Sequence, residues 1–230
     1  MDIRALEPAE ALAAIRADLA AAPAADHGAF LAPLGDLHAR VAGRSTAFDT
    51  DLYVATVLDC LKAASLFQRM AFADLLADVG RVPSCLLDAM LADTAMVSRP
   101  LIERGKLSDG HLMKVMNADR TKATQLAIAA RAGLGVSVTD RLVEEGGAEV
   151  HLTLAGNDRV ALSPAAFARF SDMAASQKDM DLALAQRSDL PIDIAKSLYQ
   201  RISDRASQRL SGMLARDLTR GRRPLALKVY

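Results

Sequence analysis

The chain has 230 residues, of which 51% are hydrophobic and 4% aromatic, with no tryptophan. Ala and Leu supply the apolar fraction, and because both are strong helix formers, the composition predicts an all-α protein. The two cysteines, Cys60 and Cys85, exclude a disulfide framework or a cysteine metal site, so a reducing cytoplasm is the expected location. The sequence has no run of about 18 apolar residues to span a membrane and no apolar signal-peptide segment at its N-terminus.

Charge is distributed unevenly, although the formal net charge is zero. Residues 201–230 contain eight basic and two acidic residues, so this segment carries +6 and residues 1–200 carry −6. An acidic body with a basic C-terminal segment is therefore the main electrostatic asymmetry of the chain.

The first part of the chain is predicted to be helical. Residues 5–22 and 28–42 are expected to form two helices, the first stopped by a proline and the second by a glycine. Residues 43–51 form a predicted loop and a candidate domain boundary. From Leu52 to Ala77, apolar residues recur at spacings of three or four, which predicts one long helix or two abutting ones.

From residue 78 onward one pattern recurs five times: an apolar anchor, then a helix-starting residue such as Ser or Pro, then an apolar run. The anchors are Val82, Leu107, Leu134, Val160 and Leu190, at spacings of 25, 27, 26 and 30 residues. A period of this length with two helices is typical of a solenoid, in which each unit buries its apolar face against its neighbours.

A polar residue stands three positions before four of these anchors, at the expected C-terminal end of the first helix of a unit. These residues are Arg104, Arg131, Asn157 and Arg187. We expect them to have a structural role, because their side chains can bond carbonyl groups that helix ends leave unpaired. Ser108, and Ser163 followed by Pro164, are predicted to begin second helices.

Residues 191–220 are predicted to form one long terminal helix with an apolar and a basic stripe. The apolar stripe comprises Ile202, Ala206, Leu210, Met213, Leu214 and Leu218. The basic stripe is the candidate interaction surface and comprises Arg201, Arg205, Arg209, Arg216 and Arg220. It could be a solvated face of a capping helix, dock into an acidic groove of a partner, bind nucleic acid or anionic lipid, or fold onto the acidic body.

Four segments of the repeat region resemble a family found mainly in alphaproteobacteria, the domain of unknown function 2336. They are RPLIERGKLSD (99–109), LAIAARAGLGVSVTDRLVEEG (126–146), HLTLAGNDRVALSPAAF (151–167) and LALAQRSDLP (182–191). The likeness covers about residues 45–200 and implies stacked HEAT-like helical repeats, without a known ligand or catalytic residue. The expected organisation is a helical N-terminal segment (1–47), a repeat domain (48–200) and a basic C-terminal helix and tail (201–230).

Motifs for nucleotide binding, nucleophilic catalysis and metal binding are missing from the sequence, so no catalytic residue, cofactor or metal is predicted. Surface or capping roles are expected for the four histidines, His27, His38, His111 and His151. Solvated positions are expected for the carboxylate pairs Glu144/Glu145 and Asp179/Asp181. Positive φ angles are expected for the turn glycines Gly133 and Gly135.

These patterns predict a non-catalytic repeat scaffold that binds an unidentified protein partner through its stacked second helices, with the Arg-rich helix as a regulatory element. Those second helices carry seven acidic and five basic residues, so this face is a poor match for nucleic acid. One alternative is nucleic-acid binding through residues 201–223, and another is an enzyme whose site no motif reveals. The oligomeric state stays open, a homodimer included.

Overall fold

The computed structural model describes residues 3–42 and 48–219, without the side chains of Ile3, Lys178, Arg209 and residues 212–219. Within these ranges all regular secondary structure is helical, which confirms the all-α prediction. Short 3-10 helices span Ile3–Ala5 and Ala24–Phe30. The α-helices of the described residues are α1 (Pro8–Ala21), α2 (Leu31–Val41), α3 (Thr50–Ala63), α4 (Leu66–Asp78), α5 (Ser84–Leu91), α6 (Ala95–Arg104), α7 (Asp109–Ala118), α8 (Lys122–Ala129), α9 (Val136–Glu145), α10 (Ala148–Gly156), α11 (Pro164–Ala174), α12 (Lys178–Ala185) and α13 (Ile192–Thr219).

The stretch from Leu52 to Ala77 forms two helices, α3 and α4, and Ser65 separates them. Its Oγ accepts a hydrogen bond from the Gln68 backbone N–H at 3.3 Å, while Gln68 Oε1 accepts one from the Ser65 N–H at 2.8 Å. This reciprocal capping box satisfies two donors that would otherwise be unpaired, so it defines the start of α4.

From α4 onward, every other helix packs in series, and these helices are called the first row; the helices between them are called the second row. The first row contains the first helices of the units, α4, α6, α8, α10 and α12, and each packs against the next. Each second helix from α5 to α11 packs against the first helix of the following unit. As predicted, Ser108 and Ser163 cap second helices, accepting hydrogen bonds from His111 N–H at 3.3 Å and Ala166 N–H at 3.0 Å.

The hydrophobic core has two parts that meet at α6. Buried side chains between Ala11 and Leu101 form the first part, and those between Ile102 and Leu198 form the second. Residues on both sides of the expected boundary at residue 48 contribute to the first part. Because Leu101 and Ile102 are neighbours on α6, this helix joins the two parts of the core.

The two turn glycines before α9 have different roles. Gly133 has a φ of 72°, as predicted for a turn that favours glycine. The prediction for Gly135 was wrong, since its φ is −75°. A Cβ at Gly135 would lie 2.0 Å from Asp109 Oδ2, so a larger residue here would displace the Asp109 carboxylate at the start of α7.

Candidate interaction surface

The polar side chains three positions before the anchors connect each first helix to the end of the preceding first helix. Arg131, just after α8, donates to the carbonyls of Ile102 and Gly105 at the end of α6, the latter at 2.7 Å. Asn157, just after α10, donates to the carbonyls of Ala129 and Arg131 at 2.9 and 2.6 Å. These bonds satisfy carbonyls at helix C-termini, and they do so across units, which fixes the spacing of neighbouring first helices.

Arg187 makes the most extensive of these connections. Its guanidinium donates to the carbonyls of Asn157 and Val160 at 2.5 and 2.8 Å, and more weakly to that of Leu154 at 3.5 Å. It also forms a two-pronged ion pair with Asp189, with both bonds at 2.8 Å. Because the Arg187 side chain is fully buried, these partners compensate for the removal of its charge from water.

Arg104 occupies the same repeat position but makes a different kind of contact. It pairs with the carboxylates of Asp74 and Asp78 on α4, at 3.0 and 3.2 Å. The hydrogen bonds that Arg104 donates to these two carboxylates raise its pKa. Its side chain is 46% exposed, so this connection lies at the surface where water screens it.

Carboxylates on the second helices also connect units. The count of acidic and basic residues in the sequence did not reveal this role. Asp88 on α5 pairs with Lys114 on α7 at 2.7 Å. Asp140 on α9 accepts a hydrogen bond from the hydroxyl of Ser163 at 2.6 Å, at the start of α11. Part of the acidic charge assigned to the second-helix face is therefore used in contacts within the protein.

Two arginines of the basic stripe contact the body of the protein. Arg201 and Arg205 both pair with Asp181, whose side chain is 2% exposed, and the Arg201 contact measures 3.4 Å. Arg205 also donates to the carbonyls of Ala174 and Ala175 at the end of α11, both at 3.0 Å. The prediction that Asp181 is solvated was wrong, because the first half of α13 folds over it and supplies two positive charges.

The rest of the basic stripe lies outside the described side chains. Arg209 and Arg216 belong to α13, whose backbone is described there, and Arg220 lies beyond the described residues. Nucleic-acid binding through all five arginines would therefore have to compete with Asp181 for Arg201 and Arg205.

A groove of about 480 Å³ lies between α6 and α8, on the first row. Its lining is mainly apolar and comprises Ala95, Ser98, Arg99, Ile102, Glu103, Thr121, Ala123, Thr124, Leu126, Ala127 and Ala130. At one rim, Arg99 pairs with Glu103 at 2.7 Å. No sequence pattern indicated this groove, because it is formed by residues from two different units.

The carboxylate of Asp119 and two threonines organise the α8 side of this groove. Asp119 accepts hydrogen bonds from the hydroxyl of Thr124 at 2.5 Å and from the backbone N–H of Thr121 at 2.9 Å. The bond from Thr124, followed by that from Thr121, lowers the pKa of Asp119. The ionised carboxylate therefore holds the first turn of α8 in place.

Two histidines named in the sequence analysis have the capping roles expected of them. His27 Nε2 lies 3.4 Å from the Ala22 carbonyl, just after the end of α1. His111 completes the cap of α7, with its Nδ1 2.7 Å from Ser108 Oγ. Its Nε2 is 3.9 Å from Asp88 Oδ1, so a serine, a histidine and an aspartate lie close together at this cap.

The other two histidines are buried. His151 Nε2 donates to the Val143 carbonyl at 3.0 Å near the end of α9. The expectation for His38 was wrong, because it is buried and stacked on Tyr53, with ring centroids 5.4 Å apart. Neither of its ring nitrogens has a hydrogen-bond partner among the described residues. Burial lowers the pKa values of both His38 and His151, which favours their neutral forms.

Searches of the described residues for membrane spans and metal clusters were negative. None of the described helices is both long and apolar enough to cross a membrane. The described His, Cys, Asp and Glu side chains form no group that could hold a metal ion.

Comparison with known proteins gave one match. Residues 97–222 match the model of a family of uncharacterised proteins conserved in bacteria, DUF2336. Searches of curated proteins and of solved structures returned no match. The matched region covers more than half of the chain, begins on α6 where the two parts of the core meet, and includes the Arg131, Asn157 and Arg187 connections. The chain therefore belongs to the DUF2336 family.

Proposed function

We propose that this chain is a non-catalytic scaffold in which the five helix pairs stack as a short HEAT-like solenoid. The observation that carries the proposal is the series of contacts made by Arg131, Asn157 and Arg187. Each of these side chains reaches the end of the preceding first helix, so adjacent first helices have a fixed separation. A row of helices held at fixed separations is a surface suited to binding an extended segment of another protein.

The groove between α6 and α8 is the binding surface that the geometry supports best. Its apolar floor suits the apolar face of a helical segment from a partner protein. Arg99 and Glu103 at the rim offer one charge of each sign, which can fix the orientation of that segment. The exposed face of the second helices, which the sequence suggested as the surface, is the competing choice.

A pair of matched variants distinguishes these two surfaces. Ala123→Arg places a long charged side chain in the groove, and Ala168→Arg places the same side chain on the exposed face of α11. With a partner identified by cross-linking and then purified, Ala123→Arg should weaken binding at least about tenfold, while Ala168→Arg should leave it unchanged. If only Ala168→Arg weakens binding, the binding site lies on the second helices. If neither variant weakens binding, both surfaces are excluded.

The non-catalytic part of the proposal has its own test at the cap of α7. Ser108 Oγ is 2.7 Å from His111 Nδ1, an arrangement that could activate a nucleophile. We attribute it to helix capping, since Ser108 Oγ also accepts the His111 backbone N–H. A fluorophosphonate probe should leave Ser108 unlabelled in the folded protein. Labelling that disappears in Ser108→Ala, with the fold retained, would establish an enzyme instead.

A further inference from the structure

The outer face of α13 carries an apolar stripe that the described part of the chain does not cover. Ile192, Tyr199 and Leu210 are 67%, 76% and 60% exposed. Ala195, Ile202 and Ala206 continue the stripe between them, at spacings of three and four residues. Ile192 and Leu210 are 18 residues apart, which is five helical turns, so they point in the same direction.

The inner face of the same helix is already occupied. Leu198 is buried in the core, and Arg201 and Arg205 are paired with Asp181. After Arg205, every described side chain up to residue 211 is exposed. The helix is 28 residues long, which corresponds to about 42 Å, and Arg205 makes the last described hydrogen bonds from it to the body of the protein.

An exposed apolar stripe gives a helix a surface on which another helix can pack. The end unit of a repeat stack normally presents a polar outer face for this reason. Here the last described unit exposes Leu182 on α12 in addition to the α13 stripe, so its described surface is not the polar face of a terminal cap.

We propose that a second copy of this chain covers the stripe, with the two α13 helices antiparallel around a two-fold axis near Arg201. Such an interface uses the same stripe on both copies. In this register Ile192 faces the partner's Leu210, and Tyr199 lies opposite the partner's Ile202. The position of Asp193 falls beside that of the partner's Arg209.

Charge selects the second copy and the antiparallel direction. Residues 201–230 carry +6 and residues 1–200 carry −6. A parallel pair would place the two copies of Arg209 side by side, whereas an antiparallel pair places the position of Arg209 beside that of the partner's Asp193. The same chain therefore supplies both the apolar surface and the complementary charge.

Sedimentation equilibrium of the full chain tests the proposal, with two matched variants in the extended half of α13. The wild-type protein should be a dimer at micromolar concentration. Leu210→Lys should raise the dimer Kd by about tenfold or more, because it places a charge in the apolar seam. Ser211→Lys, one residue away and off the stripe, should leave the Kd unchanged. A monomeric wild-type protein, or equal effects of the two variants, would overturn the proposal.

Spin labels on the dimer test its direction. A label at Ser211→Cys, in a Cys85→Ser background that removes the exposed native thiol, reports the distance between equivalent positions. The antiparallel register places the two labels about 30 Å apart along the helix axis, because each lies ten residues from the two-fold axis. A parallel pair would place them about 10 Å apart, and that result would refute the register.

Discussion

Replacing Arg187 by Met tests whether the cross-unit contacts hold the stack together. Met retains much of the apolar stem of Arg but cannot donate hydrogen bonds. The change would leave the carbonyls of Asn157 and Val160 without their guanidinium donor, and each unpaired buried acceptor costs about 1–3 kcal/mol. Met carries no charge, so the cost of burying the guanidinium is removed and offsets part of this loss. We therefore expect the free energy of unfolding to fall by about 3 kcal/mol.

Urea unfolding followed by far-UV circular dichroism measures that loss, and Arg104→Met is the matched control. Arg104 occupies the same repeat position, but its side chain is 46% exposed and its partners are surface carboxylates. Its replacement should leave the unfolding midpoint close to that of the wild type. Hydrogen exchange should locate the Arg187→Met loss in α10 and α12. Equal destabilisation by the two substitutions would refute the assignment of Arg187 as a connection between units.

Three further predictions test other parts of the structure. Asp181→Asn should speed hydrogen exchange in the first half of α13 and destabilise the protein by about 3 kcal/mol, because it removes the carboxylate that Arg201 and Arg205 share. Unchanged hydrogen exchange in α13 would contradict this contact. Asp119→Asn should be less stable than the wild type at neutral pH. Because the folded-state pKa of Asp119 is lowered, this difference in stability should be complete above a pH of about 3.9 and disappear as the pH falls through the folded-state pKa. A stability difference that does not depend on pH would exclude a role for the ionised carboxylate. Burial, followed by the charge of Asp59, raises the pKa of Cys60 to about 11. A thiol reagent at neutral pH should therefore modify exposed Cys85 and spare Cys60 until urea unfolds the protein. Rapid modification of both cysteines in the folded protein would contradict the packing of α3.

Local sequence patterns were sufficient to predict the helical elements. Apolar spacing and cap residues predicted the second helices that begin after Ser108 and Ser163, and the long helix that became α13. These features depend on neighbours within about one helical turn, and such neighbours are visible in the sequence. Arg131 and Arg187 were found for the same reason, since they stand at a fixed distance before the anchors.

The partners of those residues could not be predicted in the same way. Asp181 looked like a solvated carboxylate beside Asp179, because its two arginine partners are 20 and 24 residues away. Gly135 looked like a turn glycine, whereas its constraint comes from Asp109, 26 residues earlier. The α6–α8 groove was missed because its walls belong to two units, and their separation depends on how those units pack.

Site-specific photocross-linking in the native bacterium tests the central claim most directly. A benzophenone amino acid replaces Ala123 in the groove or, as the control, Ala168 on the exposed face of α11. The scaffold proposal predicts one abundant cross-linked protein from position 123, absent from position 168 and reduced by Arg99→Ala at the groove rim. Cross-linking from position 168 but not from position 123 would contradict the proposed binding surface.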